Sequence, residues 1–308
     1  MREILLTFDT EDFVSDNSVP ILQWILERLK KYELKGLFFI TGHMAEKLEE
    51  YPNVVDLLST HQIGYHSSSH SVHPTIFEFT DIEDYQKAYE ISLIRETSHI
   101  NPITGGIEGK GGILALQDLF PKNHIASFRA PGHCWSPPHL EALRALGIRY
   151  DFSARLSLTP VHFKGFTFYP YPIIGYWNGT LSEYNILLNS ILRNKVVVIT
   201  IHPSLIVNPR EWDIQFIKSN PQKITQQRPR NPKESSLLMN RFDLLLKRIK
   251  AFQKSSLVEV TPDLKMSHEK LNIVADDVMK WYQTSVRWTI GYKYTPKFLY
   301  YHFVKFFG

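Results

Sequence analysis

Ile4-Leu5-Leu6-Thr7-Phe8, running directly into Asp9-Thr10-Glu11-Asp12, is the stretch that decides the fold. A short, continuous apolar run with a polar end reads as a strand buried on both faces, as strands of parallel sheets are. The acids then stand at its carboxyl end. In open α/β sheets and closed parallel barrels alike, active sites lie along that edge. Three neighbouring carboxylates repel one another, so the cluster reads as functional, the bland alternative being a helix N-cap.

Outward from this strand the chain alternates. Pro20 opens a helix whose Ile21, Leu22, Ile25, Leu26 and Leu29 share one face. The strand Gly36-Leu37-Phe38-Phe39-Ile40-Thr41 follows, then a helical stretch with Val54, Val55, Leu57 and Leu58, then Ile63-Gly64-Tyr65. Acids in its first turn start a long helix at 81–85, expected to run to about Ser98. The glycine-rich residues 104–112 lack phosphate-loop spacing and read as a flexible loop. Leu140, Leu143 and Leu146 form a helix stopped by Gly147, and residues 148–153 read as a strand or turn. Val196-Val197-Val198-Ile199-Thr200-Ile201 is a β-branched strand, residues 207–235 a long loop or insertion, and 237–249 a further helix. Leu257-Val258-Glu259-Val260-Thr261 reads as a last strand.

Polar residues recur at the strand ends. His66-Ser67-Ser68-Ser69-His70 holds two histidines four apart, and one helical turn would bring both imidazoles to one face and one divalent ion. Two ligands are too few, so a carboxylate from Asp9, Glu11 or Asp12 is expected to complete the set. A solvated or hydrogen-bonded pair is the plainer alternative. Arg129, before the rigid Pro131-Gly132 turn, can pair bidentately with a carboxylate and orient it, where the bland reading is a surface salt bridge. His202 closes the last β-branched strand, where an imidazole titrating near neutrality can hand a proton to a leaving group.

Composition excludes several classes. The formal charge of +4 is no concentrated basic stripe, so nucleic acid is not an expected partner. The single Cys134 rules out an intrachain disulfide, and with Met1 leading into a strand the chain reads as cytoplasmic. No apolar run approaches a membrane span. Beyond residue 264, aromatic residues such as Trp281, Trp288 and Tyr301 alternate with Lys280, Lys297 and Lys305. That mixture suits peripheral contact at the inner membrane face, or a tail folded back on the domain or a partner subunit.

As a set, these motifs resemble the polysaccharide deacetylase family, family 4 carbohydrate esterases with a chitooligosaccharide-deacetylase-type domain. The resemblance covers residues 2–263 or so, leaving 264–308 as an extension. It implies an α/β fold of the distorted (β/α) barrel type and a hydrolase removing N-acetyl groups from an amino sugar of a polysaccharide, oligosaccharide or lipid-linked glycan. By the resemblance, Asp9 is the general base, Arg129 orients it, His202 is the general acid, and His66 and His70 bind metal. The cofactor implied is a divalent ion, zinc first, with Co, Ni, Mn or Fe as alternatives. The family commonly has two adjacent acids, whereas Thr10 intervenes here. The metal carboxylate is therefore Glu11 or Asp12: side-chain length leans to Asp12, and strand alternation favours Glu11. Asp151 and Trp177 are loose candidates for the family's aspartate and tryptophan pair. Rival functions are hydrolysis of another C–N bond, such as a cyclic ureide or imide, and glycan binding without catalysis.

Overall fold

The computed structural model describes residues 3–70, 82–133, 135–153, 160–169, 173–174, 196–213, 224, 226–252, 301–302 and 305. Cys134, Trp177, the strand expected at 257–261 and most of the extension from 264 lie outside them.

In chain order the elements are β1 (Glu3–Thr10), α1 (Ser18–Lys31), β2 (Leu37–Ile40), α2 (Gly42–Leu48), α3 (Pro52–Ser59), β3 (Gln62–Tyr65) and α4 (Tyr85–Glu96). There follow β4 (Ser98–Ile100), β5 (Ile107–Lys110), α5 (Ile113–Leu119), β6 (Ser127–Phe128), α6 (Pro137–Ala145), β7 (Tyr150–Asp151), β8 (Val161–Phe163) and β9 (Phe166–Phe168). β10 (Ile173–Ile174), β11 (Val196–Ile201) and α7 (Pro232–Phe252) come last, and short 3-10 turns follow β6 at Pro131–His133 and β11 at Pro203–Ile206. The large sheet has the order β10-β11-β1-β2-β3-β6-β7-β9-β8, parallel throughout except for the final β9–β8 pair.

Strand alternation sorts β1 into two faces. Ile4, Leu6 and Phe8 join the core that holds Leu22, Ile25, Leu26 and Leu29 of α1, so this face carries the helices. Each such buried side chain contributes about 1.5–3 kcal/mol of transfer free energy. Phe8 also stacks on Phe38 at 4.6 Å and meets Phe242 of α7 edge-on at 6.5 Å, tying the last described long helix to the first strand. Leu5 faces the other way, into a separate cluster with Phe39, Phe152, Tyr169 and Val198. The sheet curls around that second cluster as a half-barrel, in line with the (β/α) barrel expected from the sequence.

Register then sets the site. Thr10, Ile40, Tyr65, Phe128, Asp151 and Phe168 are Cα partners along one line across six strands. On the other flank Phe8 pairs with Ile201. One residue beyond these positions stand Asp9 and His202 on one side, and Glu11, His66 and Arg129 on the other.

Three elements differ from the sequence reading. The glycine-rich stretch is not a flexible loop throughout, because Ile107–Lys110 pairs antiparallel with Ser98–Ile100. Helix α2 was not expected; Thr41 caps it, its Oγ1 accepting the Met44 N–H at 3.2 Å. The β8–β9 hairpin was also missed, although Lys164-Gly165, both at positive φ, is the two-residue turn such hairpins need. Of the extension, His302 is buried, its ring edge-on to Tyr85 at 5.4 Å and its Nε2 donating to the Glu83 carbonyl at 3.3 Å. Among the described residues no helix is long and apolar enough to cross a membrane.

Candidate active site

Asp9 leaves β1 on the inward face and is buried. Arg129, fully buried, donates from Nη1 to Asp9 Oδ1 at 2.6 Å and from Nη2 to Thr7 Oγ1 at 2.9 Å. The bidentate pair expected from the sequence is thus divided between a carboxylate and a hydroxyl. Thr7 can accept because its own proton goes to the Ile199 carbonyl at 2.7 Å. Phe39 backs the guanidinium at 4.4 Å. The second Asp9 oxygen, Oδ2, lies 3.6 Å from His202 Nε2. Burial pushes the Asp9 pKa up, but Arg129, His66 and His202 outweigh it and hold the carboxyl below its ordinary value.

Beside this pair a second cluster forms. Glu11 Oε2 lies 2.9 Å from His66 Nε2 and 3.0 Å from His70 Nε2, and ligand atoms of the three residues all fall within 4.8 Å of one another. The other nitrogens are tied as well. His66 Nδ1 donates to the Arg129 carbonyl at 2.7 Å, and His70 Nδ1 sits 3.5 Å from Asp213 Oδ2. Such outer partners fix the tautomer and leave the inner nitrogen's lone pair for an ion. Burial disfavours a charged Glu11, yet His70 and His66 hold its pKa well below the usual range. Burial likewise lowers the His70 pKa, and Glu11 and Asp213 more than reverse this, raising it to about 9.

The histidine pair does not ride on a helical turn. Residues 66–70 form a loop in which Ser67 and His70 adopt positive φ of 68° and 51°. Conformations of this sort cost of order 1–3 kcal/mol each and persist where the surroundings impose them. Here the Gly42 and His43 N–H groups donate to the Ser67 and Ser68 carbonyls at 3.1 and 3.2 Å. From the other side, buried Glu96 accepts the Ser68 N–H at 2.9 Å and also holds Tyr65 Oη and His139 Nε2. A Cβ at Gly42 would stand 2.7 Å from Gly112 Cα and 2.9 Å from the Ser68 carbonyl, so only glycine lets α2 approach this loop.

Asp12, towards which side-chain length leaned, turns away from the imidazoles. Its Oδ1 accepts the Val14 and Ser15 N–H groups at 3.2 and 2.9 Å, and Oδ2 accepts Asn208 Nδ2 at 3.1 Å. The strand has ended by then, and Asp12 spends its oxygens closing the turn that follows. Asp151 is likewise engaged locally, accepting from the Ser153 N–H and Oγ while Ser153 Oγ accepts the Ala130 N–H. It braces the Arg129 turn.

Sequence reasoning missed four contributors. Trp212 donates from Nε1 to Glu11 Oε1 at 3.2 Å, Asp213 faces His70, and Asn208 holds Asp12. These three come from residues 207–235, read as a long loop or insertion, where the signal was an isolated tryptophan amid polar residues. His133 is the fourth. Burial, with Arg129 beside it, pushes its pKa down to about 3, so it presents a neutral imidazole within electrostatic reach of Asp9, His66 and His202.

Residues 1–104 match the family model described as polysaccharide deacetylase, so the resemblance read from the motifs is shown over the span that carries Asp9, Glu11, His66 and His70. Solved structures of similar fold include a Mycobacterium smegmatis protein assigned as a polysaccharide deacetylase, at 16% identity over 85% of this chain and 94% of that one, TM-score 0.46. A second is the catalytic domain of a peptidoglycan N-acetylglucosamine deacetylase from Eubacterium rectale, at 14% identity, 88% and 94% coverage and TM-score 0.42. A third is a family 4 carbohydrate esterase pseudoenzyme from Bacillus anthracis, at 13% identity, 83% and 63% coverage and TM-score 0.41. No curated protein matches the chain.

Proposed function

We propose that this chain is a metal-dependent hydrolase that removes N-acetyl groups from an amino sugar in a glycan. The observation that carries the proposal is the adjacency of two units: Asp9 held between Arg129 and His202, and the Glu11, His66 and His70 cluster beside it.

The donor set fits a cation. Two neutral imidazole nitrogens and one carboxylate oxygen are the ligands of many catalytic zinc sites, which keep a further position open. Glu11, His66 and His70 would hold the ion, and zinc is the first choice for such a set, with Co, Ni, Mn or Fe as alternatives. When bound, an ion of this class supplies Lewis acidity at a carbonyl oxygen and makes water a usable nucleophile near neutral pH.

The chain's own residues do the rest. Asp9, ionised and with Oδ1 taken by Arg129, turns Oδ2 towards His202 at 3.6 Å and takes a proton from attacking water on that oxygen. His202 gives a proton to the departing amine, which is too basic to leave as an anion. Amide and water thus become amine and acetic acid; the proton that Asp9 takes replaces the one that His202 gives, and the acid then ionises, leaving acetate and a protonated amine. Burial of Asp9 and Arg129 strengthens their interaction relative to water.

In this reading residues 1–263 are the catalytic domain, and the contact of His302 with Tyr85 supports an extension that packs back onto it. A cytoplasmic location belongs to the same proposal and is supported by the single cysteine. The test is an acetate-release screen of purified, metal-analysed protein on free and lipid-linked N-acetylated sugars. Acetate release that depends on metal is expected; glycan binding without release, by metal-loaded protein, would overturn the proposal.

A further inference from the structure

One other group of described side chains has metal-ligand composition. His43 and Glu46 stand three apart on α2, hence on one face, and His99 lies on β4 across from them. A ligand atom from each falls within 4.8 Å of the others. His99 Nδ1 is 2.9 Å from both Glu46 oxygens, and the two imidazoles meet edge-on with centroids 5.4 Å apart.

An ordinary ion pair would account for His99 and Glu46 but not for His43. That residue is buried, and its Nε2 donates to the Ile100 carbonyl at 2.5 Å. Its Nδ1 is therefore the lone-pair nitrogen, and it is buried with no hydrogen-bond partner among the described residues. An orphaned buried acceptor costs about 1–3 kcal/mol. Burial and the neighbouring His99 keep this imidazole neutral, its pKa pushed down to about 4. A neutral histidine with one N–H committed to a backbone carbonyl is the form in which histidine binds metals, and His66 shows the same device with the Arg129 carbonyl. His99 and Glu46 keep 29% and 30% of their side chains exposed, so an ion can reach the group from solvent.

We propose that His43, Glu46 and His99 bind a second divalent transition-metal ion of the zinc class, separate from the Glu11, His66 and His70 cluster. Bound there, it would clamp α2 to β4. The backbone of α2 at Gly42 and His43 is what grips the Ser67 and Ser68 carbonyls, so the ion would stiffen the support of the first site without touching it.

Equilibrium dialysis against zinc, read as ions per folded chain, tests this without any assay of activity. The proposal expects two ions in the unaltered protein, one in His99→Ala, one in the His66→Ala/His70→Ala double variant, and none when all three changes are combined. Glu46→Gln, which keeps the side chain's shape, should weaken the second ion at least tenfold. Should the double variant fail to fold, His99→Ala alone decides: a fall from two ions to one supports the site. A stoichiometry of one in the unaltered protein, or two ions that survive both His99→Ala and Glu46→Gln, would overturn it.

Discussion

Arg129 holds both halves of the site: its guanidinium grips Asp9 Oδ1 at 2.6 Å, while its own carbonyl takes the Nδ1–H of His66 at 2.7 Å. One residue thus orients the proposed base with its side chain and a proposed metal ligand with its backbone. The parallel pairing of Tyr65 with Phe128 makes this automatic, because the next residue on each strand is His66 and Arg129.

Removing that side chain leaves Asp9 buried without its cation. Breaking a buried pair in this way costs about 3–5 kcal/mol, so Arg129→Ala should lower the urea midpoint sharply. Arg129→Lys restores the charge but cannot serve Asp9 and Thr7 together, and should recover only part of the loss. A loss of unfolding free energy under about 1 kcal/mol for Arg129→Ala, taken from the midpoint and the m-value, would contradict the pairing.

Turnover should separate from metal content at Asp9 and His202. Asp9→Asn and His202→Ala each remove a proton-transfer group and should slow acetate release by about 10²–10⁴-fold. Bound metal, measured on the same samples, should be unchanged. Near-normal turnover in either variant would remove that residue from the reaction.

Glu11 and Asp12 should fail in opposite ways. Glu11→Gln should strip the ion from the His66 and His70 cluster while the fold persists. Asp12→Ala should keep the ion but lose the acceptors of Val14, Ser15 and Asn208, at about 1–3 kcal/mol of stability. Metal analysis paired with thermal unfolding reads both.

Metal affinity should climb with pH. In the metal-free chain the His70 pKa stands at about 9, against an ordinary 6.5, so near neutrality an ion must displace a proton. Affinity then rises about tenfold per pH unit towards 9, with one proton released from this residue. Calorimetry in buffers of different ionisation enthalpy measures that release, and a flat affinity between pH 7 and 9 would refute it. Linkage gives the companion sign. A folded pKa above the unfolded one stabilises the metal-free protein fully below about 6.5, and that contribution disappears as pH rises through about 9.

Much of this was legible in the sequence because strand ends are legible. Continuous apolar runs located β1, β2, β3 and β11, and the polar residues closing them are those that the fold brings together. Side-chain direction past a strand end was not legible. Glu11 against Asp12 depended on where β1 stops and the turn begins, which Asn208, nearly two hundred residues away, helps to set. The strained loop of His66 and His70 was hidden for a related reason, since its positive φ values are imposed by α2 and Glu96 and not by local propensity. Trp212 and Asp213 sat in a stretch whose composition signals only irregular backbone.

The strand register fixes which changes of chain length the site can absorb. Because Asp9, His66, Arg129 and His202 each sit a fixed step past paired strand positions, lengthening a connecting segment on the opposite rim leaves their geometry untouched. Deleting one residue inside β1, β3 or β11 swaps the faces of everything downstream in that strand and scatters the group at a stroke. Connector length is thus a change this site tolerates, and strand length is one it does not.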